Sequence, residues 1–158
     1  MAVDIFLKIP PVKGESQDKK HKEEIDVLAW SWGASNSGTA HRGPGAGTGK
    51  ANVQDVSVTK YVDAASADLL LSCCKGKHFD EALLTVRKAG GDPVEYVKIT
   101  MNEVLITSIS TGGTGDEDQL TENVTLNFAK VKFEYTAQDA KGAAGATSTM
   151  EYNIAENA

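Results

Sequence analysis

The sequence EEIDVLAWSWGAS, from Glu23 to Ser35, contains two tryptophans that lie two positions apart. In an extended strand, residues two apart point to the same face, so Trp30 and Trp32 share one face and Ser31 points to the other. Large aromatic rings on strands mostly bury their area in a core. The segment therefore predicts a strand with a bulky buried face and an opposite face that carries only serine, alanine and glycine.

Segments rich in β-branched and aromatic residues recur along the chain and are separated by Gly, Pro, Asn and Asp. Such spacing predicts an antiparallel barrel or sandwich. Residues 64–75 instead predict a short helix, because Asp63 can cap it, Leu69, Leu70 and Cys73 fall near one face, and Gly76 can end it. The predicted strands are residues 3–9, 24–35, 52–62, 82–88, 95–101, 104–111 and 124–135, with a further strand around 150–154.

The last long strand changes its apolar face. The alternating apolar residues from Val124 to Phe128 share one side, whereas those from Val131 to Tyr135 share the other. A bulge near Ala129 or Lys130 would restore a single buried face. Alternatively, the strand leaves one packing surface and joins another, as at an edge that a neighbouring chain covers. The sequence leaves both interpretations open.

Two other strands are half polar. Thr85 and Arg87 alternate with apolar neighbours, and so do Lys98 and Thr100. This pattern predicts a sheet with one side in water.

The composition limits the class of protein. A chain of 158 residues fits a single domain, residues 1–158. The net charge of −6 disfavours nucleic acid as a partner, because binding to the phosphate backbone needs concentrated Lys and Arg. No run approaches the roughly 18 apolar residues of a membrane span, so membrane insertion is not expected. The N-terminus lacks the basic and apolar regions of a cleaved signal peptide.

Three segments predict loops. Residues 38–50 are rich in glycine and residues 137–149 in Ala, Gly, Ser and Thr, so both are expected to be flexible. The third, Thr111 to Asp118, is acidic. The first loop ends in GTGK, like a phosphate-binding motif, but Pro44 and Ala51 stand where that motif needs Gly and Ser or Thr. We therefore expect no nucleotide cofactor.

The sequence gives no positive sign of catalysis or of a metal site. The two cysteines are adjacent rather than in C-x-x-C, and the acidic loop lacks the pattern of a calcium loop. No G-x-S-x-G motif is present, and no histidine lies at a spacing from Ser31 that would indicate a catalytic pair. No catalytic residue, metal or cofactor is therefore expected. The histidines lack a metal-ligand spacing and are expected at the surface: His21, His41 and His78.

Three segments together resemble a known family: EEIDVLAWSWG from Glu23, KANVQDVSVTKYVD from Lys50 and STGGTGDEDQLTENVTLNF from Ser110. From Ala2 to about Tyr135 the chain resembles the haemolysin-coregulated protein (Hcp) family, the ring-forming tube subunits of bacterial type VI secretion systems. The resemblance implies a mainly β, antiparallel barrel-like domain with one short flanking helix. It also implies a closed ring of six subunits, with rings stacked head to tail into a tube that is propelled from the cell.

The resemblance further implies partners and location. They are effector proteins sheltered in the lumen, and the spike and sheath components of the apparatus. The chain would occupy the bacterial cytoplasm and then leave the cell, or enter target cells, without a cleaved signal peptide. On this basis Ser31 is expected to contact effectors in the lumen. The residues expected to contribute to ring stacking are Arg42, Lys50, Asp116, Glu117 and Asp118.

Two other classes compete with a tube subunit. A closed β-barrel can hold a small ligand in its mouth, and a saturable ligand on a monomer would favour that alternative. A hydrolase would need a nucleophile and a base that converge in space.

Overall fold

The computed structural model describes residues 3–38, 50–88, 94–139 and 143–158. Within these ranges the chain forms ten strands and one helix. The helix α1, Ser66–Lys75, lies between β5 (Val56–Tyr61) and β6 (His78–Lys88). In chain order the strands are β1 Val3–Lys8, β2 Ile25–Ser31, β3 Ala34–Asn36, β4 Ala51–Val53, β5 Val56–Tyr61, β6 His78–Lys88, β7 Glu95–Gly112, β8 Thr121–Asn127, β9 Lys130–Gln138 and β10 Ala144–Asn153.

Six of these strands close an antiparallel barrel. Strand β7 pairs with β6 and with β8, so the order β7–β6–β1–β2–β5–β8 returns to β7. Strand β9 pairs with the first half of β7, and β10 pairs with β9, which extends the sheet beyond the barrel. Apolar side chains from all six barrel strands fill the interior. The predicted mainly β, barrel-like fold with one short helix is confirmed.

Strand β7 changes its inward face twice. Met101 and Val104 are both buried although they lie three apart, and Glu103 between them has a left-handed φ of 55°. Further along, the pairing with β8 shifts between Ile106 and Ser108. Such irregularities bend a strand and re-aim its side chains. They explain why the sequence pattern predicted two strands where the structure has one.

The change of face predicted near Ala129 is present as a break between β8 and β9. Phe128 and Val131 are both buried although they lie three apart. The Ala129 N–H donates to the Asn102 carbonyl at 3.0 Å, which holds the break against β7. The interruption thus restores one buried face, and β9 continues along a different part of β7 from β8.

Two predicted boundaries were wrong. Residues 144–149, predicted as loop, belong to β10, whose pairing with β9 is made by the backbone while the side chains stay exposed. The helix begins at Ser66, and Asp63 does not cap it directly; the Asp63 carboxylate accepts the Ala65 N–H at 2.9 Å instead. Gly76 ends the helix with a φ of 62°, as predicted, but Leu70 is exposed rather than packed.

The predicted loop 38–50 lies almost wholly outside the described residues. In the part of the chain that the structure covers, no helix is both long and apolar enough for a bilayer crossing.

The segment between β1 and β2 covers the outer face of β1 and β6. Thr85 and Arg87 are buried beneath it, so the predicted wet side of this strand was wrong. The ring of Phe6 packs between the His21 ring, with centroids 4.3 Å apart, and the Arg87 guanidinium 4.9 Å away. His21 is therefore buried, and its predicted place at the surface was also wrong. The hydrogen bond from Arg87 lowers the pKa of Asp18 to about 2.

A buried ion pair ties the helix to the barrel. The Lys60 side chain on β5 is 0% exposed and pairs with Glu122 on β8, which is 2% exposed. The Lys60 ammonium also lies 2.9 Å from the Asp63 carboxylate and 3.2 Å from the Ser66 hydroxyl. The Ser66 hydroxyl in turn donates to Glu122 at 2.6 Å. Each charge is thus matched by partners, which burial of charged groups requires.

We expect Lys60→Met to destabilise the protein by about 3–5 kcal/mol, because Glu122 would remain buried without its counter-ion. The midpoint of chemical denaturation measures the effect. Lys132→Met is the matched control, since Lys132 contacts Glu134 and Glu151 at 3.8 Å on a partly exposed surface and should change stability by less than about 1 kcal/mol. Equal, small effects of both substitutions would contradict a structural role for the Lys60 pair.

Candidate functional site: a neutral polar band

Four neighbouring barrel strands carry small polar side chains on their outward face. The register places Ser31 opposite Ser57, Ser57 opposite Thr125, and Thr125 opposite Ser108. A second row runs parallel to the first, two residues further along each strand. We call the two rows the neutral band, and its eight residues are Ser31, Ser57, Thr125 and Ser108 in the first row and Ala29, Thr59, Asn123 and Ser110 in the second.

The residues between the two rows point into the barrel. Trp30 pairs with Val58, and Val58 pairs with Val124; all three pack in or against the core. The alternation that buries Ile25 and Val27 would carry Ser31 inward too, but the register shifts between Val27 and Ala29. This bulge turns Trp30 toward the core and leaves Ser31 outside.

The predicted faces around Ser31 are confirmed. Trp30 and Trp32 are half-buried and pack against the core, whereas Ser31 is exposed. Trp32 follows the end of β2, stacks on Phe133 with ring centroids 6.2 Å apart, and donates its indole N–H to the Gln54 carbonyl at 2.9 Å. These contacts fix the chain on both sides of Ser31.

The band is held together by cross-strand hydrogen bonds and contains no charged residue. The Thr59 hydroxyl donates to the Asn123 amide oxygen at 2.7 Å, and the hydroxyls of Ser108 and Thr125 are also 2.7 Å apart. Such pairs stabilise a sheet and keep its side chains ordered. The band is therefore an ordered surface that can form hydrogen bonds with another molecule without strong ionic attraction.

Charged groups lie beyond the two ends of the band. At one end the Asp55 carboxylate accepts hydrogen bonds from Thr107 at 2.7 Å and from Asn127 at 2.9 Å. At the other end Glu117 and Asp118 line a cavity together with exposed apolar residues and with polar residues. The cavity residues are Leu28, Tyr61, Glu117, Asp118, Gln119 and Thr121.

The described residues among those predicted to stack rings lie at opposite ends of the band. Lys50 is exposed directly before β4, which pairs with β3 beyond the Ser31 end of the β2–β5 pair. The exposed residues Asp116, Glu117 and Asp118 lie in the loop after β7, next to the far end of β5. Within the described ranges, no intrachain ion pair joins Lys50 to this loop. Arg42 lies outside the described residues.

The described residues bring no metal-binding cluster to the band. Asp26, five residues before Ser31, lies where β2 pairs with β1, and partial desolvation together with the charge of Asp63 raises its pKa. Among residues 3–38, 50–88, 94–139 and 143–158, no group of three or more His, Cys, Asp and Glu side chains is arranged to hold a metal ion.

Sequence reasoning found Ser31 and missed the rest of the band. Alternation within VSVTKY and NVTLN, which begin at Val56 and Asn123, already separates small polar residues from buried valine and leucine. That signal could have predicted that Ser57, Thr59 and Thr125 point outward. It could not have aligned them with Ser31, because register between strands depends on bulges and closure.

Comparison with known proteins identifies a family. Residues 6–135 match the family model described as "Type VI secretion system effector, Hcp". The chain is 58% identical to protein hcp1 of Pseudomonas aeruginosa over 159 aligned positions, which cover 99% of this chain and 98% of that protein.

Solved structures agree with this match. The crystal structure of Hcp1 from Salmonella typhimurium superposes with a TM-score of 0.81 at 38% identity, covering 100% of this chain and 99% of that one. A structure described as a type six secretion system protein gives a TM-score of 0.93 at 32% identity, with 99% of both chains covered.

The two faces of β2 should respond differently to substitution. We expect Ser31→Gln to change the free energy of unfolding by no more than about 0.5 kcal/mol, because the new side chain extends into solvent. Trp30→Ala should cost about 2 kcal/mol, since it removes a half-buried ring from the core. Chemical denaturation of both variants measures the difference. A large loss of stability in Ser31→Gln with little change in Trp30→Ala would mean that the faces are reversed.

Proposed function

Because the chain belongs to the Hcp family of type VI secretion system proteins, we propose that it is a structural subunit of the secretion tube. Six copies close into a ring, rings stack head to tail, and the neutral band lines the lumen, where it contacts effector proteins. The observation that supports this proposal best is the band itself, which is ordered by cross-strand hydrogen bonds and carries no charge, on a chain with 24% charged residues.

The size of the band suits a lumen for folded cargo. Neighbouring strands lie about 4.8 Å apart, so six copies of a four-strand arc parallel to the ring axis would enclose a circle about 37 Å across. A domain of about 100 residues has a radius of gyration of about 13 Å, which corresponds to a sphere about 34 Å across. The side chains of the wall occupy part of the roughly 37 Å between backbones, so a folded effector of somewhat fewer than about 100 residues would fit and touch the wall on several sides.

The chemistry of the band suits cargo that must both bind and move. Single hydroxyl and amide contacts contribute only about 1 kcal/mol each. Sixfold repetition multiplies weak contacts into useful retention without any one strong anchor. A lumen of this kind would shelter an effector and still let it go at delivery.

The placement of charges supports head-to-tail stacking. Lys50 and the acidic loop lie at opposite ends of the band, so stacked rings would bring Lys50 of one ring toward Asp116, Glu117 and Asp118 of the next. Exposed ion pairs give at most about 1 kcal/mol each and are screened by salt. Isolated rings should thus stack weakly, and the apparatus would complete the tube.

The remaining partners follow from the same role. The tube would contact the spike at its tip and the sheath around it. The protein would be made in the bacterial cytoplasm and then secreted outside the cell or into a target cell.

Native mass spectrometry tests the ring. At micromolar concentration we expect a species of about 100 kDa, six times the 16.7 kDa of one chain. A spectrum that contains only the single chain would contradict the proposal.

Ser31→Gln tests cargo contact. The variant should keep the ring mass of the parent and retain less co-expressed effector, because only the lumen surface changes. Leu71→Gln, on the exposed face of α1, is the control and should retain effector at the parent level. If both variants retain effector at the parent level, Ser31 does not contact cargo, and the ring proposal is unaffected.

A charge exchange tests stacking. Lys50→Glu and Glu117→Lys should each reduce the length of stacked rings seen by electron microscopy at low salt, and the double variant should restore it. Lys19→Glu makes the same charge change on the segment that covers β1 and should have no effect. Stacks of parental length in Lys50→Glu, or no rescue in the double variant, would place the contacts elsewhere.

A further inference from the structure

The buried histidine, His21, fastens the segment between β1 and β2 to the barrel. Its ring Nδ1 lies 2.9 Å from a carboxylate oxygen of Glu24, and its Nε2 lies 2.7 Å from one of Glu95. The ring stacks on Phe6 with an interplanar angle of 8°, and its side chain is only 8% exposed. Three contacts from different parts of the chain thus fix the position and plane of the ring.

When both glutamates are ionised, the two carboxylate contacts require a protonated ring. A neutral imidazole has one N–H donor and one lone pair, so it can donate to only one of the two glutamates. The other glutamate would then face a lone pair at hydrogen-bond distance. An imidazolium donates to both, and its charge is attracted by both.

The other charged groups around His21 are paired among themselves. From its own segment, Asp18 accepts the His21 backbone N–H at 3.2 Å and also bonds Arg87 of β6. Asp4 of β1 accepts from Arg87 at 3.2 Å, and Lys98 of β7 lies 3.3 Å from Glu95. Although burial alone would raise the pKa of Glu95, the His21 hydrogen bond and charge, with Lys98, bring it below its ordinary value.

We propose that His21 is a pH-sensitive clasp, which holds residues 13–24 against β1, β6 and β7 while its ring is protonated and loosens them when the proton leaves. Glu24 directly precedes β2, and Glu95 begins β7, so the clasp joins the starts of two strands that carry the neutral band. Its release would expose the Phe6 ring to solvent and increase the mobility of the residues that directly precede β2. This device depends neither on ring formation nor on cargo.

The direction of the pH dependence follows from the charges. The clasp is complete where the ring is protonated and both glutamates are ionised. Its contribution is lost when rising pH removes the proton from the ring. It is also lost in acid, where Glu95 takes up a proton, and the lowered pKa of Glu95 moves that loss to lower pH.

Hydrogen exchange with mass spectrometry on the full-length protein tests the clasp. The backbone bonds that report on the segment run from the Gly14 N–H to Glu23, from the Ser16 N–H to Glu24, and from the Glu23 N–H to Ser16, at 2.7, 3.0 and 3.0 Å. After correction for intrinsic exchange, protection of residues 13–24 should fall about tenfold between about pH 5.5 and 9, as expected for the loss of one charge-assisted contact. Protection of β9 and β10 should stay constant.

Matched variants separate the clasp from general effects of pH. His21→Gln should abolish the pH dependence and lower protection of residues 13–24 at acidic pH, whereas His78→Gln, at an exposed site on β6, should keep the parental profile. Flat protection in the parent, or an unchanged pH-dependent fall in His21→Gln, would overturn the proposal.

A second variant applies even if His21→Gln folds poorly. Glu95→Gln keeps the His21 ring but removes one of its two carboxylate partners, so protection of residues 13–24 should fall less between acidic and alkaline pH than in the parent. An equal fall in both proteins would overturn the clasp.

Discussion

The structure depends on one long strand, β7, that is hydrogen-bonded along both edges. Over its 18 residues it pairs with β6 on one side and with β9 and then β8 on the other. This double pairing closes the barrel and attaches the β9–β10 hairpin. Closure leaves no open edge among the six barrel strands, which stabilises the sheet and fixes the order of its strands.

Two irregularities decide which side chains face outward. The register shift between Val27 and Ala29 in β2 turns Trp30 inward, and the shift between Ile106 and Ser108 in β7 leaves Ser108 outside. Because side chains alternate with a period of two, removing either shift would exchange buried and exposed residues along the rest of that strand. The neutral band exists because both strands shift before they reach it.

The sequence predicted what depends on local pattern. Alternation located the strands, and the spacing of Trp30 and Trp32 assigned the faces around Ser31. Burial of His21, Lys60 and Thr85 could not be predicted in this way, since it depends on segments that are distant in sequence and fold over them. The same holds for β10, where backbone pairing with β9 orders a stretch whose composition is typical of a loop. Register across β2, β5, β8 and β7 is likewise a property of the closed barrel.

The central claim, that the neutral band faces the lumen of a closed ring, is tested most directly by cryo-electron microscopy of the purified assembly. We expect a six-membered ring in which the row Ser31, Ser57, Thr125 and Ser108 of every subunit lines a central channel whose opposite backbones lie about 37 Å apart. A ring with this row on its outer surface, or with the row buried between subunits, would contradict the claim.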